Sequence, residues 1–332
     1  MQQQQPLARG FANLGNTCCF SAVLQAMSHT PRFVRFVLQT PHALVQAGRS
    51  SAVYASVRHL LACSWAYSSG QGVGAVSPAE VVGAMKPILI KHGVGGDNEQ
   101  LDAHELYCLV ADALCRGCPD RSGMKALLMG SVQRTLRCET CDATTANVTP
   151  FTTLDLDLGS SSSSSIRVAS LLQTSLAPER ITDWTCERCA CKRSAALITR
   201  AWALPGVLAL YVKRAVGADG NSVRRDTVDV DETLTCDALA PLIAPGSPAD
   251  QRLGRLGPYH LSSVVCHYGS QRGGHYTAVV RHPSALESSD SLRWCVYDDD
   301  TASLVGRLPS SVGTACYVLL YTQSQALERH VR

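Results

Sequence analysis

The chain has 332 residues, 45% hydrophobic and 17% charged, with a formal net charge of +3, which is material for one large domain or two ordinary ones and excludes a small stapled module or a disordered chain. Cations occur singly or in pairs such as Arg224-Arg225, so the basic stripe with interleaved aromatics of a dedicated nucleic-acid binder is missing. No apolar run is long enough to span a bilayer, and Met1 to Pro6 lack the cationic start and apolar stretch of a secretory signal; a soluble intracellular chain is expected.

Helical patterns dominate the first third. Phe20, Val23, Leu24 and Met27 fall on one helical face, with Asn16 or Thr17 as cap and Pro31 beyond the end. Leu106, Leu109, Val110, Ala113 and Leu114 repeat that spacing, after Asp97 or Asn98 as cap. The middle third carries the C-x-x-C pairs Cys138/Cys141 and Cys186/Cys189 and reads as an extension built around them. Within it, the run Ser160 to Ser165 cannot supply a core and reads as a loop tip. The last third changes character: Leu204–Val212, Tyr259–His267, His275–Val280, Trp294–Tyr297 and Cys316–Tyr321 are strand-like, with Gly, Ser, Asp and Pro between them. The Pro- and Gly-rich stretch from Ala240 to Pro258 reads as an insertion between strands. Helices first and strands afterwards predict an α+β fold.

Fifteen cysteines are an odd set in a long chain, which argues for thiols in a reducing compartment and against a secreted disulfide framework. Cys18 falls at the first turn of the first helix, where the helix dipole favours a thiolate; by position alone the ordinary reading is still a small buried residue. A nucleophile needs a base. His275 follows Gly273 and Gly274, two residues that let another backbone pass close by. The strand after it ends in Asp298, Asp299 and Asp300, any of which could orient the imidazole. Because side chains alternate along a strand, Asp298 and Asp299 are expected to face different ways while the strand stays regular. The four cysteines of the two C-x-x-C pairs carry a tetrahedral zinc signature, two thiolates from each knuckle and no open position.

Several segments together resemble the ubiquitin-specific proteases, a family of deubiquitinases. Gly10-Phe11-Ala12-Asn13-Leu14-Gly15-Asn16-Thr17-Cys18 is similar to its cysteine box; Tyr259 to Gly269, with Gly273-Gly274-His275-Tyr276, resembles its histidine box. Trp294 to Asp299 resembles the aspartate segment, Ala315 to Tyr321 the closing strand, Gln100 to Leu106 the helix motif beside the substrate tail, and Leu204 to Leu210 the strand after the fingers. The resemblance implies a papain-like core with thumb, palm and zinc-binding fingers. It implies Cys18 as nucleophile, His275 as general base, Asp298 as orienting acid with Asp299 as its rival, and Asn13 as oxyanion donor. Asp102 and Glu105 would hold the arginine-bearing tail of ubiquitin, which passes Gly273, Gly274 and Tyr276. Cys138, Cys141, Cys186 and Cys189 would bind one structural zinc. Cys19, Leu101 and Ala215 depart from the family's usual residues, which touches pocket shape and leaves the reaction type.

One catalytic domain is therefore expected over residues 8–323, with a thumb at about 8–125, fingers at about 130–215, palm strands at about 204–323, and short tails at 1–7 and 324–332. The implied reaction is hydrolysis after the terminal glycine of ubiquitin through a thioester at Cys18. A protease for another ubiquitin-like modifier and a non-catalytic ubiquitin-binding scaffold are the alternatives. The expected partners are ubiquitin and ubiquitinated proteins, with no nucleic acid and no membrane, and the protein is expected to be a monomer in the cytoplasm, the nucleus or both.

Overall fold

Among the described residues six helices come first and two large sheets follow, with two short two-stranded ladders beside them. The computed structural model describes residues 9–41, 48–66, 75–94, 100–159, 165–216, 222–252, 257–270, 273–282 and 294–324. The helices are α1 (Cys18–Ser28), α2 (Pro31–Gln39), α3 (Arg49–Ala66), α4 (Ala79–His92), α5 (Ala103–Gly117) and α6 (Arg121–Leu128). Every residue of α1 is buried, the condition of a helix enclosed on all sides. Two of its polar members find partners: Ser28 Oγ donates to the carbonyl of Gln25, and Gln25 Nε2 to that of Arg9. Pro31 does lie beyond the end of α1, and it also opens α2, where its missing N–H costs nothing. The cap of α5 is Asp102, whose carboxylate accepts from His104 N and Glu105 N; the expected caps Asp97 and Asn98 lie outside the described residues. Among those residues no helix is long and apolar enough to cross a membrane.

The chain then builds β1 (Gly130–Cys138), β2 (Thr144–Phe151), β3 (Thr153–Asp157), a short β4 (Ile166–Arg167), α7 (Val168–Ser175), β5 (Glu179–Cys186), β6 (Cys191–Ala203) and β7 (Val207–Lys213). Two-residue bridges β8 (Ala215–Val216), β9 (Ser222–Val223), β10 (Val228–Asp229) and β11 (Thr233–Leu234) lead into α8 (Cys236–Leu239), a 3-10 turn at Ala240–Leu242 and α9 (Pro248–Arg252). The stretch read as a soft insertion thus carries helical turns, at Ala240–Leu242 and Pro248–Arg252, and the hydroxyl of Ser247 starts the second by accepting from Asp250 N. Last come β12 (Tyr259–Ser270), β13 (Gly273–Arg281), β14 (Trp294–Asp298), β15 (Thr301–Val305), α10 (Val312–Ala315) and β16 (Cys316–Gln323).

Strands β2-β1-β6-β5 form one antiparallel sheet, and β15-β14-β13-β12-β16-β7-β3 form the larger one. In the larger sheet β3 pairs with β7 in parallel, so residues 153–157 join the main sheet although the fingers enclose them in sequence. β12 and β16 are buried almost throughout because both sheet faces are covered. Val265, Ala278 and Tyr297 pack with the helices in one core; Val264, Val279 and Leu319 pack with α7 residues in the other. α1 lies against the first face, beside β12 and β13. That packing places the cysteine at the start of α1 opposite the histidine near the start of β13.

Arg214 fixes the far face. Its side chain is fully buried, and all five N–H donors are used. They reach the carbonyls of Cys316, Arg224, Asp226 and Gly313 and the sulfur of Cys316. The neighbouring Arg225 donates to the carbonyls of His267 and Gly269, tying down the turn end of β12 next to the site.

Candidate active site

The loop before α1 is set by its own short polar side chains. Asn13 Oδ1 accepts from Gly15 N at 3.0 Å, Thr17 N at 3.3 Å and Thr17 Oγ1 at 3.1 Å, and Thr17 Oγ1 accepts from Leu14 N at 2.8 Å. Gly15 and Asn16 take left-handed backbone angles, φ 91 and 53 degrees, which glycine and asparagine tolerate best. Thr17 holds the N-cap position of α1, but its hydroxyl serves this turn and does not cap the helix. The loop is also anchored at its base: Phe11 N donates to Asp299 O, and a Cβ on Gly10 would lie 2.3 Å from the Asp300 carbonyl. Cys18 emerges as the first residue of the helix. Its neighbour Cys19 is wholly buried, and that burial, with Asp102 nearby, pushes its thiol well above the ordinary range. A thiol so held is inert.

His275 and Asp298 meet at 2.5 Å, Nε2 to Oδ1, so Nδ1 is the ring nitrogen that the carboxylate does not engage. The β13–β14 pairing brings them together, because its register sets Ala278 opposite Tyr297. Asp299 was expected to face away from the imidazole. In fact the strand ends at Asp298 and Asp299 turns left-handed, φ 49 degrees, so the alternation rule lapses one residue early. One ligand atom each from His275, Asp298 and Asp299 lies within 4.8 Å of the others. Asp299 Oδ2 accepts from Asn13 Nδ2 at 2.8 Å, fixing the oxyanion candidate and leaving its second N–H free to donate.

Cys18 and His275 share no hydrogen bond among the described residues. The contact at the sulfur comes from Gln100, whose Nε2 lies 3.5 Å from Sγ. The same carboxamide donates to Gly274 O at 2.7 Å and accepts from Gly274 N at 2.9 Å. Gln100 heads the segment Gln100 to Leu106, but its residue type does not mark it as a site residue; only the fold shows a contact spanning 174 positions. Gly274 is also confined from the other side, where a Cβ would sit 2.3 Å from His267 Nε2. His267 is buried against Tyr276 and Tyr317, and burial, then Arg225, lowers its pKa.

The two acids beside this site differ. Asp102 is spent internally: Oδ1 caps α5 and Oδ2 accepts from the Tyr317 hydroxyl. Glu105 is exposed. Tyr276 is buried and packs against His267, and Gly273 is exposed at the start of β13. His104 is stacked on Tyr211 at 3.8 Å and bonded to Thr153, a structural arrangement that joins α5 to β3.

The profile of the ubiquitin carboxyl-terminal hydrolase family matches residues 9–321. The chain belongs to that family. It is 23% identical to ubiquitin carboxyl-terminal hydrolase Usp2 of Drosophila melanogaster over 95% of this chain and 35% of that protein. It is 26% identical to ubiquitin carboxyl-terminal hydrolase 17-like protein B of Mus musculus over 96% of this chain and 64% of that one. The chain thus spans between about a third and two thirds of these curated relatives. A solved structure of the Ubp8/Sgf11/Sus1/Sgf73 deubiquitinating module of SAGA bound to ubiquitin aldehyde has a chain superposing with a TM-score of 0.74 at 19% identity, covering 98% of this chain and 71% of that one. The module bound to monoubiquitin gives 0.73 at 19% identity, over 98% of this chain and 71% of that one. The α+β fold with thumb helices, palm sheet and fingers is therefore that of ubiquitin carboxyl-terminal hydrolases.

The fingers carry the four-cysteine group. Cys138, Cys141, Cys186 and Cys189 bring their sulfurs within 4.8 Å of one another, with Cys138–Cys189 at 4.0 Å and Cys141–Cys186 at 3.6 Å. Four sulfurs at about 2.3 Å from a tetrahedral zinc would be roughly 3.8 Å apart, so the group can bind a metal ion. The two knuckles match locally. Thr140 N donates to Cys138 and Cys189 N to Cys186, while Asp142 and Ala190, each following a knuckle, turn left-handed. The Thr140 N–H pulls the Cys138 thiol down to about 6, whereas the bond to Cys141 pushes Cys189 up to about 12. A third C-x-x-C, Cys115/Cys118, escaped the sequence reading. It lies buried at the end of α5, with both thiols raised by burial, and belongs to no ligand cluster among the described residues.

Proposed function

We propose that the protein is a thiol-dependent deubiquitinase that hydrolyses the bond after the terminal glycine of ubiquitin. The observation that carries the reading is the His275–Asp298 pair, closed at 2.5 Å opposite a helix-start cysteine, in a chain of this family. Cys18 sulfur attacks the glycine carbonyl carbon, and His275 carries the thiol proton to the departing lysine amine. The acyl group stays on sulfur as a thioester. Water, deprotonated by His275, then attacks the same carbon; the sulfur leaves and recovers the proton. The free N–H of Asn13 stabilises the oxyanion in both steps. Glu105 is the acid left to pair with an arginine of the tail, while Asp102 acts by starting α5.

Zinc is the metal proposed for the four-cysteine group, in a structural role that holds the fingers to the body of ubiquitin. The thiols of Cys138, Cys141, Cys186 and Cys189 would hold it as thiolates, without an open position for chemistry. All fifteen cysteines are free, the state a reducing compartment maintains, and cytoplasm or nucleus is the proposed location for a monomer acting on ubiquitinated proteins. The test is a panel of probes, each a ubiquitin-like modifier ending in a thiol-reactive group. An adduct mapped to Cys18 with the ubiquitin probe supports the reading. Labelling by a different modifier alone overturns it.

A further inference from the structure

We propose that Gln100 is a positioning residue of the catalytic centre: one carboxamide fixes the peptide before His275 and turns its second N–H onto the Cys18 sulfur, holding base and nucleophile in register. The argument starts from the edge of β13. The N–H and C=O of one strand residue point to the same edge, and pairing with β14 begins only at Ala278. At Gly274 that edge has no strand beside it. Gln100 covers it as a peptide would, accepting from Gly274 N at 2.9 Å and donating to Gly274 O at 2.7 Å. His267 blocks the other side, since a Cβ on Gly274 would meet its ring at 2.3 Å. The Gly274 peptide is therefore held from two directions, and the next residue is the base.

Nε2 of a carboxamide carries two protons. One is on Gly274 O; the other faces Cys18 Sγ at 3.5 Å. An N–H aimed at sulfur is worth more when the sulfur carries charge, so this donor assists the form that attacks. Gln100 leads directly into Asp102 and α5, whose start is fixed by the cap and by Tyr317. The carboxamide is thus anchored to a rigid element, as precise positioning requires. Its place could be taken only by a side chain of the same length carrying both a donor and an acceptor.

The proposal rests on the deubiquitinase reading for its substrate but not for its geometry, and the experiment separates the two. Full-length Gln100→Met keeps the volume and loses every bond, Gln100→Glu keeps the acceptor and loses the donor, and Gln100→Asn is too short to bridge. Each is assayed on a fluorogenic ubiquitin amide and, separately, for chloroacetamide labelling of Cys18 read by mass spectrometry without ubiquitin. The expected result is kcat lowered about 10- to 100-fold in all three, the scale of a disturbed acid–base arrangement, with KM within about threefold and Cys18 labelling slowed in parallel. Thermal melting identifies any variant that fails to fold, and the near-isosteric Gln100→Glu then carries the test. Wild-type kcat in Gln100→Met, wild-type labelling in Gln100→Glu, or a loss confined to KM would each overturn the proposal. If the wild-type protein ignores ubiquitin yet labelling slows in the variants, the substrate reading fails and the positioning role stands.

Discussion

Replacing Asp298 by alanine should lower kcat/KM by about two orders of magnitude or more. Asp298 Oδ1 lies 2.5 Å from His275 Nε2, and the two side chains are 57% and 41% exposed, so water-like screening is the fair assumption. At that distance and a dielectric near 80, an imidazolium gains about 2 kcal/mol from the carboxylate, roughly a twentyfold effect at about 1.4 kcal/mol per decade. The rest comes from orientation: without an acceptor on Nε2, the ring loses the bond that sets its orientation. Asp298→Asn keeps an accepting oxygen and should fall between. A carboxylate oxygen of Asp299 lies no farther than 4.8 Å from a ring nitrogen of His275, which gives about 1 kcal/mol under the same screening. Its loss also frees Asn13, so Asp299→Ala should cost about tenfold in all. Purified variants are compared on a fluorogenic ubiquitin substrate at one pH. An Asp299→Ala defect larger than that of Asp298→Ala would refute the assignment.

Cys18→Ala should abolish turnover while leaving ubiquitin binding by calorimetry unchanged; residual turnover with an adduct mapped to Cys19 would reverse the two thiols. Metal analysis of protein purified without added zinc should give one zinc per chain, and Cys138→Ser should lower the melting temperature and raise KM more than it lowers kcat. Burial, opposed by a bond to Gln25 O, lowers His29 to about 4, and its neutral ring donates from Nδ1 to Gln25 O while Nε2 accepts from Tyr297. Below about 6.5 the unfolded chain binds a proton that the native ring refuses, so stability is full above that pH and falls towards pH 4, by about 2 kcal/mol at pH 5. Urea midpoints at pH 5 and 7.5 should therefore differ less in His29→Phe than in the wild type, and an unchanged difference would count against this source of acid sensitivity.

What could be read from sequence was what local chemistry decides. The turn before Cys18 is written in Gly15 and Asn16, which adopt left-handed angles readily, and the helix after it in its apolar spacing. His275 and Asp298 sit on adjacent strands of one antiparallel run, so the resemblance and the pattern agreed. The convergence of Asp299 was not legible, because an aspartate gives no sign in sequence that its backbone will turn left-handed. Gln100 was invisible for another reason: its partners are the peptide groups of Gly274, and every residue carries such groups. Arg214 makes the same point in the core. A buried guanidinium is usually sought beside an acid, yet its partners here are four main-chain carbonyls and a sulfur. Those acceptors belong to segments 10 to 102 positions away and converge only after the sheet forms. Side chains that read the backbone leave no complementary residue to find, so the parts of this site that sequence conceals are the ones that hold it in place.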